Sequence, residues 1–386
     1  MPRMDGRQFT HLLRLARIYW AFKTGAQRVP QLPVRLWIES TSRCNLRCGY
    51  CPNKDVVKED HGFMDLGLFK EIIDQVAGHA YDVNLFHRGE PTMHPKLPEM
   101  VAYARSKGLY TRIHTNITLL NEKKSRALIE AGLDFMSCSF DGYEKEMYEK
   151  NRVGAKFDWT LDHLKSFLRL KRDMRARRPF VVLQIMEIGA PPKDELRRMR
   201  RAFLDQFKDL PLDRVILRTP HNWAGDVFVP ELSRDALLAD GRRFTPCTFL
   251  WYSSTIYWDG TVTACPQDFF NKLGMGDLKE KPLREIWNDT RLVDLRRRMA
   301  TGDIPKDLPC YQCDRIWRHQ VMGVPTDYLK AFLSDHVMSY GWLRRLVRVL
   351  LRGGLGRPPR TPPRSRRQIR RWDVLKARGG WRRSHP

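Results

Sequence analysis

Between Val34 and Thr219 the chain alternates short runs of β-forming residues with stretches of helical period. No other feature restricts the fold as strongly. The runs VRLWIES (34–40), YDVNLF (81–86), LYTRIH (109–114), FMSCSF (135–140), FVVLQIM (180–186) and RVILRT (214–219) read as six strands. Helices are expected at 66–77, 96–107, 121–131, 159–177 and 193–207; in the first, Leu66, Phe69, Ile72, Ile73 and Val76 share one face, and Gly132 stops the third. Strands joined by single helices make right-handed crossovers, so the expected fold is α/β with a parallel, barrel-like sheet. Ligands on such a sheet sit at the C-terminal ends of its strands.

Eight cysteines are placed on this frame. Residues 1–10 are polar and no run of 18 apolar residues occurs, so neither a secretory signal nor a membrane-spanning helix is expected. In a reducing cytoplasm, clustered cysteines read as metal ligands or catalytic thiols rather than disulfides. Cys44, Cys48 and Cys51 follow the first strand with C-x3-C-x2-C spacing. Three thiolates in one loop can hold three corners of a [4Fe–4S] cube and leave one iron open to a small chelating molecule. A zinc knuckle that borrows a fourth ligand, or three unrelated thiols, are the competing readings. Cys138 lies in an apolar strand without a partner at ligand spacing and reads as a small buried hydrophobe.

With Tyr50 as the aromatic residue before the last cysteine, the loop resembles the radical S-adenosylmethionine (radical SAM) superfamily. The resemblance covers roughly residues 34–219 and implies a partial (β/α)6 barrel. It also implies a [4Fe–4S] cluster on Cys44, Cys48 and Cys51 whose open iron binds SAM, and reductive cleavage of SAM to a 5′-deoxyadenosyl radical that abstracts substrate hydrogen. Arg88-Gly89-Glu90-Pro91 is similar to the family's GGEP element, with Arg88 in place of the first glycine. Glu90 is expected to accept a hydrogen bond from the SAM ammonium. Asn116 resembles the family's TNG-type contact, with Ile117 in place of glycine. Ser139, in Ser139-Phe140-Asp141-Gly142, and Gln184 are expected on the ribose side. Arg152 resembles the arginine that pairs with the SAM carboxylate.

A second set, Cys247, Cys265, Cys310 and Cys313, is framed by a hairpin signal at Asp259-Gly260 and by a helix over 281–300. Four thiols can hold structural zinc or a closed Fe–S cluster. Beside a radical SAM core the arrangement resembles the SPASM/Twitch extension, as in families of 2-deoxy-scyllo-inosamine dehydrogenase-like and anaerobic sulfatase-maturase-like enzymes. That implies one auxiliary [4Fe–4S] cluster with a full ligand set, suited to accepting an electron. The expected organisation is an amphipathic segment at 1–33, the partial barrel at 34–225, the small Fe–S extension at 240–325 and a basic tail at 335–386.

These readings favour an oxidative, dehydrogenase-like enzyme acting on a hydroxylated sugar or cyclitol. Arg218, His221 and Trp223 are the substrate candidates: Arg218 for an anionic or hydroxyl group, His221 to move a proton, Trp223 to stack a ring. The alternative is a peptide or protein maturase, although no leader-recognition domain stands out in the first 33 residues. A flavodoxin- or ferredoxin-type electron donor is expected. The net charge is +25. Residues 341–386 carry 15 Lys and Arg against one acid, Asp373. This Pro/Arg-rich tail, with the basic amphipathic pattern at 342–352, suggests contact with nucleic acid, or with the inner face of a membrane. An Fe–S nucleic-acid-binding protein is the reading from another class.

Overall fold

The computed structural model describes residues 6–321 together with 324 and 325. The expected tail at 335–386 and its amphipathic stretch at 342–352 lie outside the described residues. Nine strands form one sheet: β1 (Arg35–Ile38), β2 (Asp82–Asn84), β3 (Tyr110–Thr115), β4 (Phe135–Ser139), β5 (Phe180–Met186), β6 (Arg214–Arg218), β7 (Ser253–Ile256), β8 (Thr261–Thr263) and β9 (Gly274–Asp277). Their order is β9-β8-β7-β1-β2-β3-β4-β5-β6. β1 to β6 run parallel in sequence order, which is the partial (β/α)6 barrel. β7 joins the free side of β1 in parallel, and β8 and β9 continue from it antiparallel.

The connecting helices are α2 (Leu66–Val76), α3 (Leu97–Ser106), α4 (Glu122–Glu130), α6 (Phe157–Asp173) and α7 (Lys193–Asp205), with α1 (Gly6–Lys23) ahead of the barrel and a short α5 (Lys145–Asn151) before α6. Local chemistry sets their ends. The Asp65 carboxylate accepts from the Gly67 and Leu68 amides to start α2, and Asn121 accepts from Lys124 to start α4. Gly132 takes the left-handed backbone (φ 79°) that ends α4. On α2, Phe69, Ile72, Ile73 and Val76 are buried against the sheet, each contributing about 1.5–3 kcal/mol.

The second half contains α8 (Arg234–Ala239), α9 (Phe249–Tyr252), α10 (Leu283–Ile286) and α11 (Thr290–Thr301). The single helix expected over 281–300 is therefore two. Asn288 takes the break: its side chain accepts from Val29 N and donates to Val29 O, both at 2.9 Å, and so holds the segment entering β1. The hairpin at Asp259-Gly260 forms, but not with a two-residue type I′ turn. Gly260 has positive φ (100°) but Asp259 does not, whereas a type I′ turn centred on Asp259-Gly260 needs both in that region. The observed turn is four residues long, closed by Gly260 N donating to Tyr257 O at 3.0 Å.

The period of two along each strand separates two environments. Outward residues such as Leu36, Ile38, Val83, Ile113, Met136, Leu183 and Ile185 are buried under the helices. Register places Arg35, Asp82, Asn84, Arg112, His114, Ser137, Ser139, Gln184 and Arg218 on the opposite, barrel-interior face. Polar groups thus share the lumen with Trp37, Phe135, Phe180, Val182 and Ile216. Near its N-terminal end Arg35 donates twice to Asp82, at 2.7 and 2.6 Å. Arg112 lies 3.8 Å from the same carboxylate and 4.2 Å over the Phe135 ring. α1 covers this end: His11 lies against Tyr81, Arg14 donates to His79 O, and Phe22 meets the edge of Trp251.

Asp82 faces two guanidiniums in a nearly dry position. Asp82→Ala is expected to destabilise the fold by about 3–5 kcal/mol, because a buried charge loses its partner. Asp82→Ala combined with Arg35→Met is expected to recover part of that loss. Anaerobic urea denaturation followed by circular dichroism measures both.

Candidate active site

The loop after β1 carries Cys44, Cys48 and Cys51, and its shape is set by neighbouring loops at the same barrel end. Ser42 Oγ donates to Asp60 O and accepts from Gly62 N, while Thr41 Oγ1 donates to Gly62 O. Asn53 donates to both Ser42 O (2.8 Å) and Arg88 O (3.1 Å). A Cβ on Gly89 would stand 2.3 Å from Thr41 O and 2.5 Å from Arg43 O. The glycine is thus required where one loop lies against the other. Cys51 N donates to Cys48 O across the last turn.

Glu90, expected as an acceptor for the SAM ammonium, is buried and already engaged. Its Oε1 accepts from Thr92 N, Thr92 Oγ1 and Thr115 Oγ1, and its Oε2 from Asn116 N at 2.6 Å. Burial raises its pKa, opposed by these bonds. Only Oε2 has room for a second donor. Pro91 opens a 3-10 turn, Pro91–Met93, that Glu90 caps. Asn116 donates to Asn45 Oδ1 (3.0 Å) and reaches Cys44 Sγ at 4.0 Å. Ile117 keeps the left-handed backbone (φ 74°) at the position where the resembling motif has glycine. For a β-branched residue that is strained, and its fully buried side chain offsets the strain.

Arg152 is buried beside Cys48, which it influences electrostatically, and pairs with Asp141 at 2.6 Å. Its Nε has no hydrogen-bond partner among the described atoms, so one donor remains for a ligand. Asp141, read as a possible turn former, is the anchor for this arginine and also accepts from Met186 N. Ser139 and Gln184 are register neighbours across β4 and β5; Gln184 meets Ser137 at 3.5 Å. Cys138 points to the opposite, helix-covered face and is fully buried.

In the second set, Cys247, Cys265 and Cys313 are buried and Cys310 is partly so. The four lie close enough that Cys247, Cys313 and Cys310 each add to the rise in the Cys265 pKa. Burial is the main cause throughout: it pushes Cys44 to about 12, Cys51 to about 11 and Cys310 to about 12. Among the described residues, no three His, Cys, Asp or Glu side chains converge on a point that would hold a single ion. Thiolates round one zinc stand only about 3.8 Å apart, given Zn–S bonds near 2.3 Å. A cube with one cysteine per iron spreads its ligands more widely. All-sulfur donor sets of three and four, each lying together, therefore fit an open and a closed cluster. Arg315 lies within the field of Cys313, Cys265 and Cys247.

The segment after β6 spans the two cysteine sets. Trp223 Nε1 donates to Tyr50 O (3.2 Å) in the first cysteine loop. Its ring lies 4.4 Å from His221 and 5.2 Å from Phe269, which follows Cys265. Asn222 donates to Gln312 O at 2.6 Å, between Cys310 and Cys313, and exchanges bonds with Asp314. Trp223 and Ala224 both have positive φ, 49° and 55°. Desolvation lowers the His221 pKa to about 3, so the imidazole is neutral at physiological pH and is a poor proton donor. Arg218, at the exposed end of β6, acts electrostatically on both His221 and His114.

Two residues that matter here escaped the sequence reading. Glu39, at the end of β1, is 0% exposed and receives Arg88 through two bonds, at 2.7 and 2.9 Å. Arg88 also stacks 4.3 Å over Tyr257. His87 Nε2 contacts Pro266 O at 3.0 Å, next to Cys265, and burial lowers its pKa to about 4. A Glu closing a strand beside a cysteine loop was the available signal for Glu39; nothing in the spacing marked His87.

Known proteins share the sequence pattern and the fold. A family profile described as the radical SAM superfamily matches residues 38–181, and one described as an iron-sulfur cluster-binding domain (SPASM) matches residues 247–314. PqqA peptide cyclase of Gluconobacter oxydans is 36% identical over 317 residues, 74% of this chain and 84% of that protein. Fe-coproporphyrin III synthase of Methanosarcina barkeri is 28% identical over 302 residues, 67% and 74% of the two chains. Streptococcus suis SuiB, solved with its precursor peptide SuiA, superposes with TM-score 0.55 at 14% identity, covering 82% of this chain and 77% of that one, a likeness of fold. The chain belongs to the radical SAM superfamily and carries a SPASM domain. Its cofactors are a [4Fe–4S] cluster, SAM and auxiliary Fe–S. Among the described residues no helix is long and apolar enough to cross a membrane.

Two outcomes follow from this geometry. Arg88→Gly would restore the residue of the resembling motif yet strand Glu39, so a loss of about 3–5 kcal/mol is expected, with partial recovery in Arg88→Gly/Glu39→Gln; thermal and urea unfolding compare them. In the metal-free chain, folding holds protons on Cys44 and Cys51 that an unfolded chain releases above about pH 9. Stability from these thiols is complete below pH 9 and falls as pH rises through about 11. Urea titrations of the apo protein between these pH values test the sign.

Proposed function

We propose that this chain is a radical SAM peptide maturase. The observation that carries the reading is the 36% identity with a peptide cyclase across 84% of that protein's length. It moves the substrate from the hydroxylated ring favoured by the sequence to a peptide, and leaves the dehydrogenase subtype behind. The reaction belongs in a reducing cytoplasm, with a flavodoxin- or ferredoxin-type donor.

Cys44, Cys48 and Cys51 would hold the open cluster, and Cys247, Cys265, Cys310 and Cys313 the auxiliary one. When bound, the open cluster and SAM supply one-electron chemistry that removes a hydrogen atom from an unactivated C–H bond. The chain's own residues position and insulate that chemistry. Glu90 ties the loop after β2 to the end of β3 and keeps one lone pair of Oε2 for a cationic group. Arg152, held by Asp141, offers Nε to a carboxylate beside Cys48. Asn116, Ser139 and Gln184 supply polar atoms along the lumen. Trp223 and Phe269 form an apolar wall between the two cysteine sets, against which a peptide side chain can lie and from which water is kept out. His221, neutral, offers one ring nitrogen as a hydrogen-bond acceptor and the other as an N–H donor there. Arg218 at the rim suits a carboxylate or a peptide carbonyl.

Anaerobic reconstitution is expected to load about eight irons per chain, as two cubes require. With dithionite and SAM the protein is expected to release 5′-deoxyadenosine, and Cys44→Ala to abolish it. Cys310→Ala/Cys313→Ala is expected to keep SAM cleavage and lose the mass change in a co-expressed precursor peptide. Modification of a cyclitol with no peptide altered would overturn the maturase reading, and absence of SAM cleavage would overturn the site assignment.

A further inference from the structure

Ten large apolar side chains are exposed among the described residues, and three of them, Leu13 (45%), Tyr19 (62%) and Trp20 (70%), lie on α1. At 100° per residue, Leu13, Ala16, Arg17, Tyr19, Trp20 and Lys23 fall within an arc of about 160°. His11, Arg14, Ile18 and Phe22 occupy the opposite arc and make the contacts with the barrel. The inner face is therefore committed, and the outer face presents two aromatic rings and a leucine beside two cations. α1 contains no acidic residue. Arg14 and Arg284 add positive charge at the same end, where both act on His79.

An exposed apolar stripe flanked by cations on a helix fits a lipid surface better than a protein groove, since Trp and Tyr settle at headgroup depth and Lys and Arg meet anionic headgroups. Placement agrees. α1 covers the N-terminal end of the barrel, packing on Tyr81 and His79 just before β2. The cysteine loops are at the opposite, C-terminal ends of the strands. A membrane below α1 would leave the mouth open to a substrate arriving from solution. The sequence beyond the described residues adds charge of the same sign, 15 Lys and Arg against Asp373 in residues 341–386. We propose that the outer face of α1, through Tyr19, Trp20 and Leu13, seats this protein on an anionic membrane surface. The proposal does not depend on the identity of the substrate.

The test uses the full chain with its clusters and two kinds of vesicle, phosphatidylcholine alone and phosphatidylcholine with about 30 mol% phosphatidylglycerol. Co-sedimentation is expected with the anionic vesicles only, weakened about 10-fold or more in about 0.5 M salt. Tyr19→Ala/Trp20→Ala is expected to weaken the partition about 10-fold while circular dichroism and SAM cleavage stay unchanged. Hydrogen exchange is expected to slow over residues 10–23 when anionic vesicles are added. Removing residues 341–386 is expected to reduce affinity but leave a component that Tyr19→Ala/Trp20→Ala removes. The proposal is overturned if the double variant binds as the parent does, or if loss of 341–386 alone abolishes binding. It is equally overturned if sedimentation shows a dimer that the double variant dissolves, because the face would then be a contact between two copies.

Discussion

Glu39 ends the first strand with no contact with water, and Arg88 answers its charge through two hydrogen bonds. A buried carboxylate is tolerated only when paired and fully bonded. Here the partners come from two directions: the Arg88 guanidinium and amide from the loop after β2, and the Trp258 amide from the hairpin. Tyr257 closes the guanidinium from above. One acid thereby fastens the barrel's first two strand ends to the hairpin that leads to Cys265. The two loops then lie close enough that Gly89 allows no side chain against the backbone at 41–43, and Glu90 N donates to Arg43 O. The cysteine loop is held in shape by neutral backbone and side-chain groups and by one charge pair outside it, and no charged side chain bonds to its thiols among the contacts described.

Each cysteine set has a guanidinium in its field, Arg152 beside Cys48 and Arg315 beside Cys313, Cys265 and Cys247. An Fe–S cluster with thiolate ligands is an anion, and nearby positive charge eases its reduction. Arg152 is tethered by Asp141 and so is partly neutralised; Arg315 has Asp314 as its neighbour and keeps an unbonded Nε. Each guanidinium thus stands under the influence of one Asp and keeps an unbonded Nε among the described atoms.

Patterns of period two and 3.6 carried the architecture, because burial imposes them: the six parallel strands, their five helices and the stop at Gly132 were legible. The cysteine sets and the turn motifs were legible because their spacing is local. What escaped depends on contacts between distant segments. The expected 281–300 helix breaks at Asn288 because Val29, 259 residues away, takes its side chain. The Glu39–Arg88 pair joins residues 49 apart, and Arg88 read as a departure from a motif rather than as a partner. Ile117 reads as a replacement of the motif's glycine, and the backbone there has the positive φ that glycine favours. A residue's identity states a preference; the surrounding packing decides whether it is obeyed.

The hairpin of the iron-sulfur extension is hydrogen-bonded into the barrel sheet, β7 pairing with β1 over four residues. No linker separates the platform that carries Cys44 from the platform that carries Cys265. The two cysteine platforms therefore belong to one continuous hydrogen-bonded sheet. Among the described residues the loop at 221–225 touches both platforms, through Trp223 on Tyr50 O and Asn222 on Gln312 O, so a guest seated between the two cysteine sets lies against a shared wall and not in a cleft between separate bodies.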